Sequence, residues 1–109
     1  MEKPNLNYIN SLSGNDDVFK QKIINTFKKE LPKEIDEYSS QMEKGCFLEA
    51  SEIIHKIKHK ISIMGMEKSY YLAEEFEFDL KNQSAGFNEA LKAAFDKILA
   101  AMLHYADSL

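Results

Sequence analysis

Residues 47–65 read FLEASEIIHKIKHKISIMG, and the spacing within this stretch decides the fold class. Phe47, Ala50, Ile53, Ile54, Ile57, Ile61 and Met64 recur at three- and four-residue intervals, which is the period of a helix with one buried face. Gly65 closes the helix, as a residue free to turn left-handed does at a C-terminus. The charged and polar residues between the apolar ones fill the other face, so the segment reads as an amphipathic helix packed on one side.

Working outward, the same period recurs on both sides. Upstream, from about Val18 to Lys44, the residues Ile24, Phe27, Leu31, Ile35, Tyr38 and Met42 form one stripe, with a turn and acidic start at Ser13-Gly14-Asn15-Asp16-Asp17 and a stop at Gly45. Pro32 lies inside it, and a proline removes one backbone hydrogen bond, so the element is either one bent helix or two helices joined near Leu31; one bent helix is the expectation. Downstream, about Lys68 to Lys81 places Leu72, Phe76 and Leu80 inward and leaves Glu74, Glu75, Glu77 and Asp79 as a solvated outer face. After a turn at Asn82–Gly86, about Phe87 to Tyr105 carries Leu91, Ala94, Phe95, Ile98, Met102 and Tyr105 on one side. A short piece with Leu6, Ile9 and Leu12 precedes them all. The expected fold is all-α: an antiparallel four-helix bundle with a short additional N-terminal helix, spanning residues 1–109 as a single domain.

Composition agrees with this reading. The 109 residues include 44% hydrophobic and 29% charged residues with only 4 Gly and 2 Pro, which lacks the regular turn signals of an all-β chain. With 14 Lys+Arg against 18 Asp+Glu, no basic excess exists to neutralise a run of phosphates, so nucleic-acid binding as the main function is disfavoured. The single Cys46 has no partner for an internal disulfide, which fits a reducing compartment. No leader-like apolar core opens the chain and no apolar run approaches the ~20 residues of a membrane span, so a cytoplasmic location without membrane attachment is expected.

Two of the three histidines lie four residues apart on the 47–65 helix. Each residue turns the chain by about 100°, so with Ile57 at zero His55 and His59 both fall about 160° away, on opposite sides of the outer face. Leu48, Glu52 and Ser62 share that face, and Lys58 sits on its flank one turn from His55. Both imidazoles are therefore expected in solvent, where an ordinary surface histidine is the plain alternative to a functional one.

Ile54-His55-Lys56-Ile57-Lys58, with Gly65 ten residues after His55, resembles the signature of histidine-containing phosphotransfer domains. In that family a phospho-accepting histidine is followed by an apolar residue, a lysine at the third position and a glycine at the tenth. The resemblance extends to the leading helix, the Gly14-Asn15-Asp16 turn, Phe19 and Phe27 early in a long helix, Gly45 before the active helix and an acidic helix after it. It implies that His55 accepts a phosphoryl group from an aspartyl phosphate on a response-regulator receiver domain or a hybrid sensor histidine kinase, and passes it to another receiver. It implies further that Lys58 balances the charge on that group, and that His59, Lys56, Lys60, Ser62 and Gly65 border the partner-binding face. The carrier is then a stoichiometric participant, not an enzyme; it is expected to be a monomer without a cofactor of its own, magnesium residing on the partner receiver because no carboxylate cluster is evident beside His55.

At the fourth position after the histidine the family has glycine, and this chain has His59. Its side chain is expected to swing away along the outer face and leave His55 open. The alternative is a binding module that keeps the bundle, docks a receiver or kinase and carries no phosphate because His59 obstructs the site. The i, i+4 histidine pair also has zinc spacing, but three nearby lysines and the lack of a third ligand weigh against a metal. Cys46 reads as inert and His104 as structural or exposed, and no Gly-rich phosphate loop or oxyanion hole is legible.

Overall fold

The computed structural model describes residues 2–82 and 86–109, and among them every regular element is a helix. The helices are α1 (Asn7–Ser13), α2 (Asp17–Glu43), α3 (Phe47–Ile63), α4 (Glu67–Asn82) and α5 (Glu89–Asp107). α3 is the central element, packed against α2 on one flank and α4 on the other; α5 completes the circuit against α4 and α2, and α1 rests on α2. The molecule is elongated, 49 × 23 × 19 Å, because a 27-residue helix such as α2 is about 40 Å long at 1.5 Å per residue. No helix of the described residues is long and apolar enough to cross a membrane.

The ends of the helices are where local sequence chemistry puts them. The Asp16 side chain accepts a hydrogen bond from the Phe19 N–H at 2.9 Å and caps α2, and Asn88 accepts from the Ala90 and Leu91 N–H groups to cap α5. That cap moves the start of α5 to Glu89, two residues beyond the expected Phe87. The turn expected at Asn82–Gly86 includes residues 83–85, which lie outside the described residues. Pro32 stands within a single uninterrupted α2. α3 ends in a paired-bond cap around Gly65, whose N–H donates to the Ser62 carbonyl while that of Met66 donates to the Ile61 carbonyl; its φ of +76° is a conformation that other residues adopt at a cost.

The N-terminal segment straps the α3–α4 turn. The Asn5 N–H donates to the Met64 carbonyl at 2.9 Å, and a Cβ on Gly65 would come within 2.6 Å of the Asn5 side chain. Glu2 then caps α4 from a distance, its carboxylate accepting from the Lys68 and Ser69 N–H groups at 3.0 and 2.7 Å.

The core follows the expected stripes with two departures: α4 is rotated, and α5 buries Leu99 and Ala106, which were not expected, while the expected Leu91, Ala94 and Tyr105 are only partly covered. Phe27, Leu31 and Tyr38 of α2, Ala50, Ile53, Ile54, Ile57 and Ile61 of α3, and Phe95, Ile98, Leu99 and Met102 of α5 form one buried cluster that includes the edge-on rings of Tyr38, Phe76 and Phe95, and Ile24 of α2 is buried outside it. In α4 the buried residues are Ser69, Ala73, Phe76, Glu77 and Leu80, and Leu72 is only partly covered. The inward face of α4 is thus turned toward α3 relative to the expected Leu72-Phe76-Leu80 line, and Glu77, expected in solvent, is a buried residue.

Candidate functional site

On α3 the core face is centred on Ile57, and the helical turn then places Lys58 at about +100° and Lys60 at about −60°, one on each flank. α4 lies against the first flank and α2 against the second, so two lysines two residues apart reach into different interfaces. Lys58 Nζ lies 3.0 Å from Glu77 Oε1 and 3.6 Å from Glu74 Oε2 on α4, with the Tyr70 ring centred 5.4 Å away. Lys60 Nζ lies 3.1 Å from Glu30 Oε1 and 3.0 Å from Glu34 Oε1 on α2, with the Phe27 ring at 6.0 Å.

His55 is exposed and faces outward on the Lys58 flank, where its side chain is 53% accessible. Its Nδ1 is turned inward and lies 3.1 Å from Glu77 Oε2 and 3.4 Å from Oε1. The same Oε2 accepts from Lys81 Nζ at 2.8 Å. The Glu77 side chain, only 7% accessible, is therefore the common anchor of His55, Lys58 and Lys81. Burial by itself would raise its pKa, but the bonds from Lys81 and Lys58 outweigh that and hold the carboxyl below its usual range. Burial likewise opposes the charge on Lys58, and Glu77 reverses the effect and holds its pKa above the usual lysine value.

An ionised carboxylate can only accept, so the proton between His55 and Glu77 sits on Nδ1. A neutral imidazole held this way carries its lone pair on Nε2, the nitrogen not engaged by Glu77, in a side chain that is half exposed. The arrangement thus selects one tautomer, fixes the ring, and offers a single nucleophilic nitrogen to an incoming electrophile. A carboxylate behind the ring also offsets the positive charge that the imidazole gains when Nε2 forms a bond.

The residues expected around His55 are distributed unevenly. Lys58 does not offer a free ammonium beside His55: its side chain is 8% accessible and its charge is engaged by α4, so it positions Glu77 and through it the imidazole. Lys60 is likewise drawn into the α2–α3 interface. Lys56 and Ser62 are exposed, Ser62 in a shallow depression with Gly65, Glu67, Tyr70 and Tyr71. Gly65 meets the Asn5 strap, which accounts for a glycine there without a partner. His59 has not swung away from His55, since the two rings are 5.1 Å apart and nearly perpendicular; aromatic rings at i, i+4 meet naturally edge to face. It nevertheless lies on the α2 side, at a groove with Lys22, Ile23, Glu30 and Lys60, and leaves half of the His55 side chain open.

Glu77 is the member of this cluster that the sequence reading missed, having placed it in a solvated acidic face with no carboxylate cluster beside His55. The signal was its place between Phe76 and Leu80 and four residues after Ala73, at the edge of the buried stripe. Among the described residues no group of three or more His, Cys, Asp or Glu side chains is arranged to hold a metal ion. Comparison with protein-family models, with curated proteins and with solved structures finds no match in any of the three.

Proposed function

We propose that the chain is a histidine phosphotransfer carrier whose five helices form an antiparallel four-helix bundle with α1 as a short addition. The observation that carries this reading is an outward, half-exposed imidazole whose Nδ1 is bonded to a buried, ionised carboxylate, which leaves Nε2 as the nitrogen not engaged by Glu77. The Nε2 lone pair attacks phosphorus of an aspartyl phosphate on a receiver domain. The N–P bond forms as the acyl P–O bond breaks, and its electron pair returns to the aspartate carboxylate of the donor. The Nδ1 proton stays in place against Glu77, so no separate base is required, and reversal of the same displacement delivers the group to a second receiver. Magnesium belongs to the receiver in this scheme. The partners are response-regulator receiver domains and a hybrid sensor kinase, met by a cytoplasmic, monomeric carrier. Leu48, exposed on the His55 face, and Phe78, exposed beside Glu77 on α4, give that surface an apolar rim suited to a protein partner.

The edge contact of His59 with His55 supports a second reading, a docking module that no longer accepts phosphate. Incubation with a phosphorylated receiver separates the two. The carrier reading expects an acid-labile, base-stable label on the parent that His55→Gln abolishes with helicity intact. A label that survives in His55→Gln and disappears in His59→Gln would show that the acceptor is the other histidine.

A further inference from the structure

We infer that Lys81, on the last turn of α4, is the cation that grips a phosphoryl group on His55 Nε2, taking the role that position in the helix gives to Lys58. The inference rests on the carrier reading and adds a residue to it. Four lysines surround the imidazole in sequence or space, and their environments separate them. Lys58 is enclosed between Glu77, Glu74 and the Tyr70 ring; drawing its ammonium out would strand a buried carboxylate without its closest α3 partner. Lys60 is held by Glu30 and Glu34 in the opposite interface. Lys56 is exposed, but it is the next residue after His55 and so points about 100° away around α3.

Lys81 differs from all three. Its ammonium bonds to Glu77 Oε2, the oxygen that His55 Nδ1 also contacts, so it already stands beside the imidazole. Its side chain is 43% accessible, at the rim of the site. Its release leaves Glu77 still paired with Lys58 through the other oxygen and with the Nδ1–H of His55. A phosphoryl group arriving at Nε2 brings negative charge to the open edge of the ring, and the geometry allows Lys81 to exchange one anionic oxygen for another within a short swing. Lys58 stays behind as the fixed counter-charge. The two lysines on Glu77 thus divide the work: one holds the carboxylate that orients the ring, the other is free to follow the phosphate.

The test loads the whole chain directly with phosphoramidate, a small donor whose N–P bond breaks with ammonia leaving as Nε2 bonds to phosphorus. The ³¹P resonance of the phosphohistidine is then followed through its titration. A cation against the phosphoryl group favours its dianion, so Lys81→Met should raise the titration midpoint and slow loading at least fivefold, Lys81→Arg should restore most of both, and Lys33→Met, at an exposed position on α2 outside the site, should change neither. The thermal unfolding midpoint of Lys81→Met should stay close to the parent's, since the residue is at the rim. A parent that labels normally, with Lys81→Met indistinguishable from it in midpoint and rate, would overturn the role of Lys81 and leave the carrier reading standing. A folded parent that takes no phosphoryl group at all would overturn the carrier reading and this role with it.

Discussion

Lys58 and Lys60 are two residues apart on one helix and are treated almost alike. Each is drawn into an interhelical interface, each meets two carboxylates of the neighbouring helix, and each lies over an aromatic ring. On the α2 side, among the described residues, the ion pairs are those of two glutamates with one lysine. On the α4 side the nearer glutamate, Glu77, carries two further groups, His55 and Lys81. Under the proposed function, the contrast is that between a structural device and a chemical one. A buried ion pair that joins two helices supplies an ionised carboxylate in a fixed place, and a histidine at the rim of that interface acquires a defined tautomer without additional machinery.

The comparison is broken most directly by removing one carboxylate from each interface. Glu77→Ala strips a buried lysine of its close partner and the imidazole of its anchor, leaving only Glu74 at 3.6 Å; breaking a buried pair from one side costs about 3 kcal/mol. Glu34→Ala also removes a largely buried carboxylate, but it leaves Lys60 a close second partner in Glu30 at 3.1 Å and takes no anchor from an imidazole, so the loss should be smaller, about 2 kcal/mol. Urea unfolding at neutral pH measures both, with the slope of the transition unchanged. Equal losses would mean that the two interfaces are energetically the same and that Glu77 has no special standing.

Acid sharpens the same contrast. The carboxyl of Glu77 is held below its unfolded value of 4.5, so its contribution is fully present above that value and is lost as pH falls through the lower folded one. The Lys58 pKa is raised above 10.5, so its share is present below that value and fades only as the solution becomes strongly alkaline. Below about pH 4.5 the parent should therefore lose stability along a steeper curve than Glu77→Gln, which has no proton to take up at that position. Parallel curves for the two proteins, followed by chemical unfolding across the acid range, would contradict the ionised state on which the tautomer argument depends.

These interfaces also mark where reading the sequence stopped. The helices were legible because their ends carry local chemistry: Asp16 caps one, Gly45 and Gly65 close two, and the isoleucines of 53–61 keep the helical period without a break. The outward direction of His55 was legible for the same reason, since a 100° step is a property of one helix alone. The partners of Lys58 and Lys60 depend on which neighbour occupies each flank of α3, and a single chain of residues does not state that. Glu77 was hidden by its company. Counted with Glu74, Glu75 and Asp79 it belongs to a solvated acidic run, and only the slight rotation of α4 that buries Ala73 brings it under His55. The strap from Asn5 to the α3–α4 turn was equally out of reach, because it joins positions 60 residues apart through backbone and close contact, with no apolar pattern to announce it.

His59 stands between the two interfaces, its ring edge on His55 and its other side toward the groove that Lys60 and Glu30 line. It is therefore the residue at which the structural side of α3 touches the chemical side. Replacing it with glycine removes the ring contact and places a flexible residue inside a 17-residue helix, where glycine costs about 1 kcal/mol relative to alanine. His59→Gly should thus be less stable than the parent by about 1 kcal/mol, and His59→Ala, which loses the ring but keeps the helix propensity, should recover most of that difference. Neither change touches the His55–Glu77 bond, which fixes the proposed nucleophile from the α4 side. Phosphoryl transfer from a receiver should accordingly stay within about tenfold of the parent in both variants, a change in barrier of no more than about 1.4 kcal/mol. A parent that is inert toward every phosphorylated receiver tested, and becomes active as His59→Gly, would reverse this argument: the ring would then be a block on His55, and the chain a docking module in which glycine restores a lost acceptor.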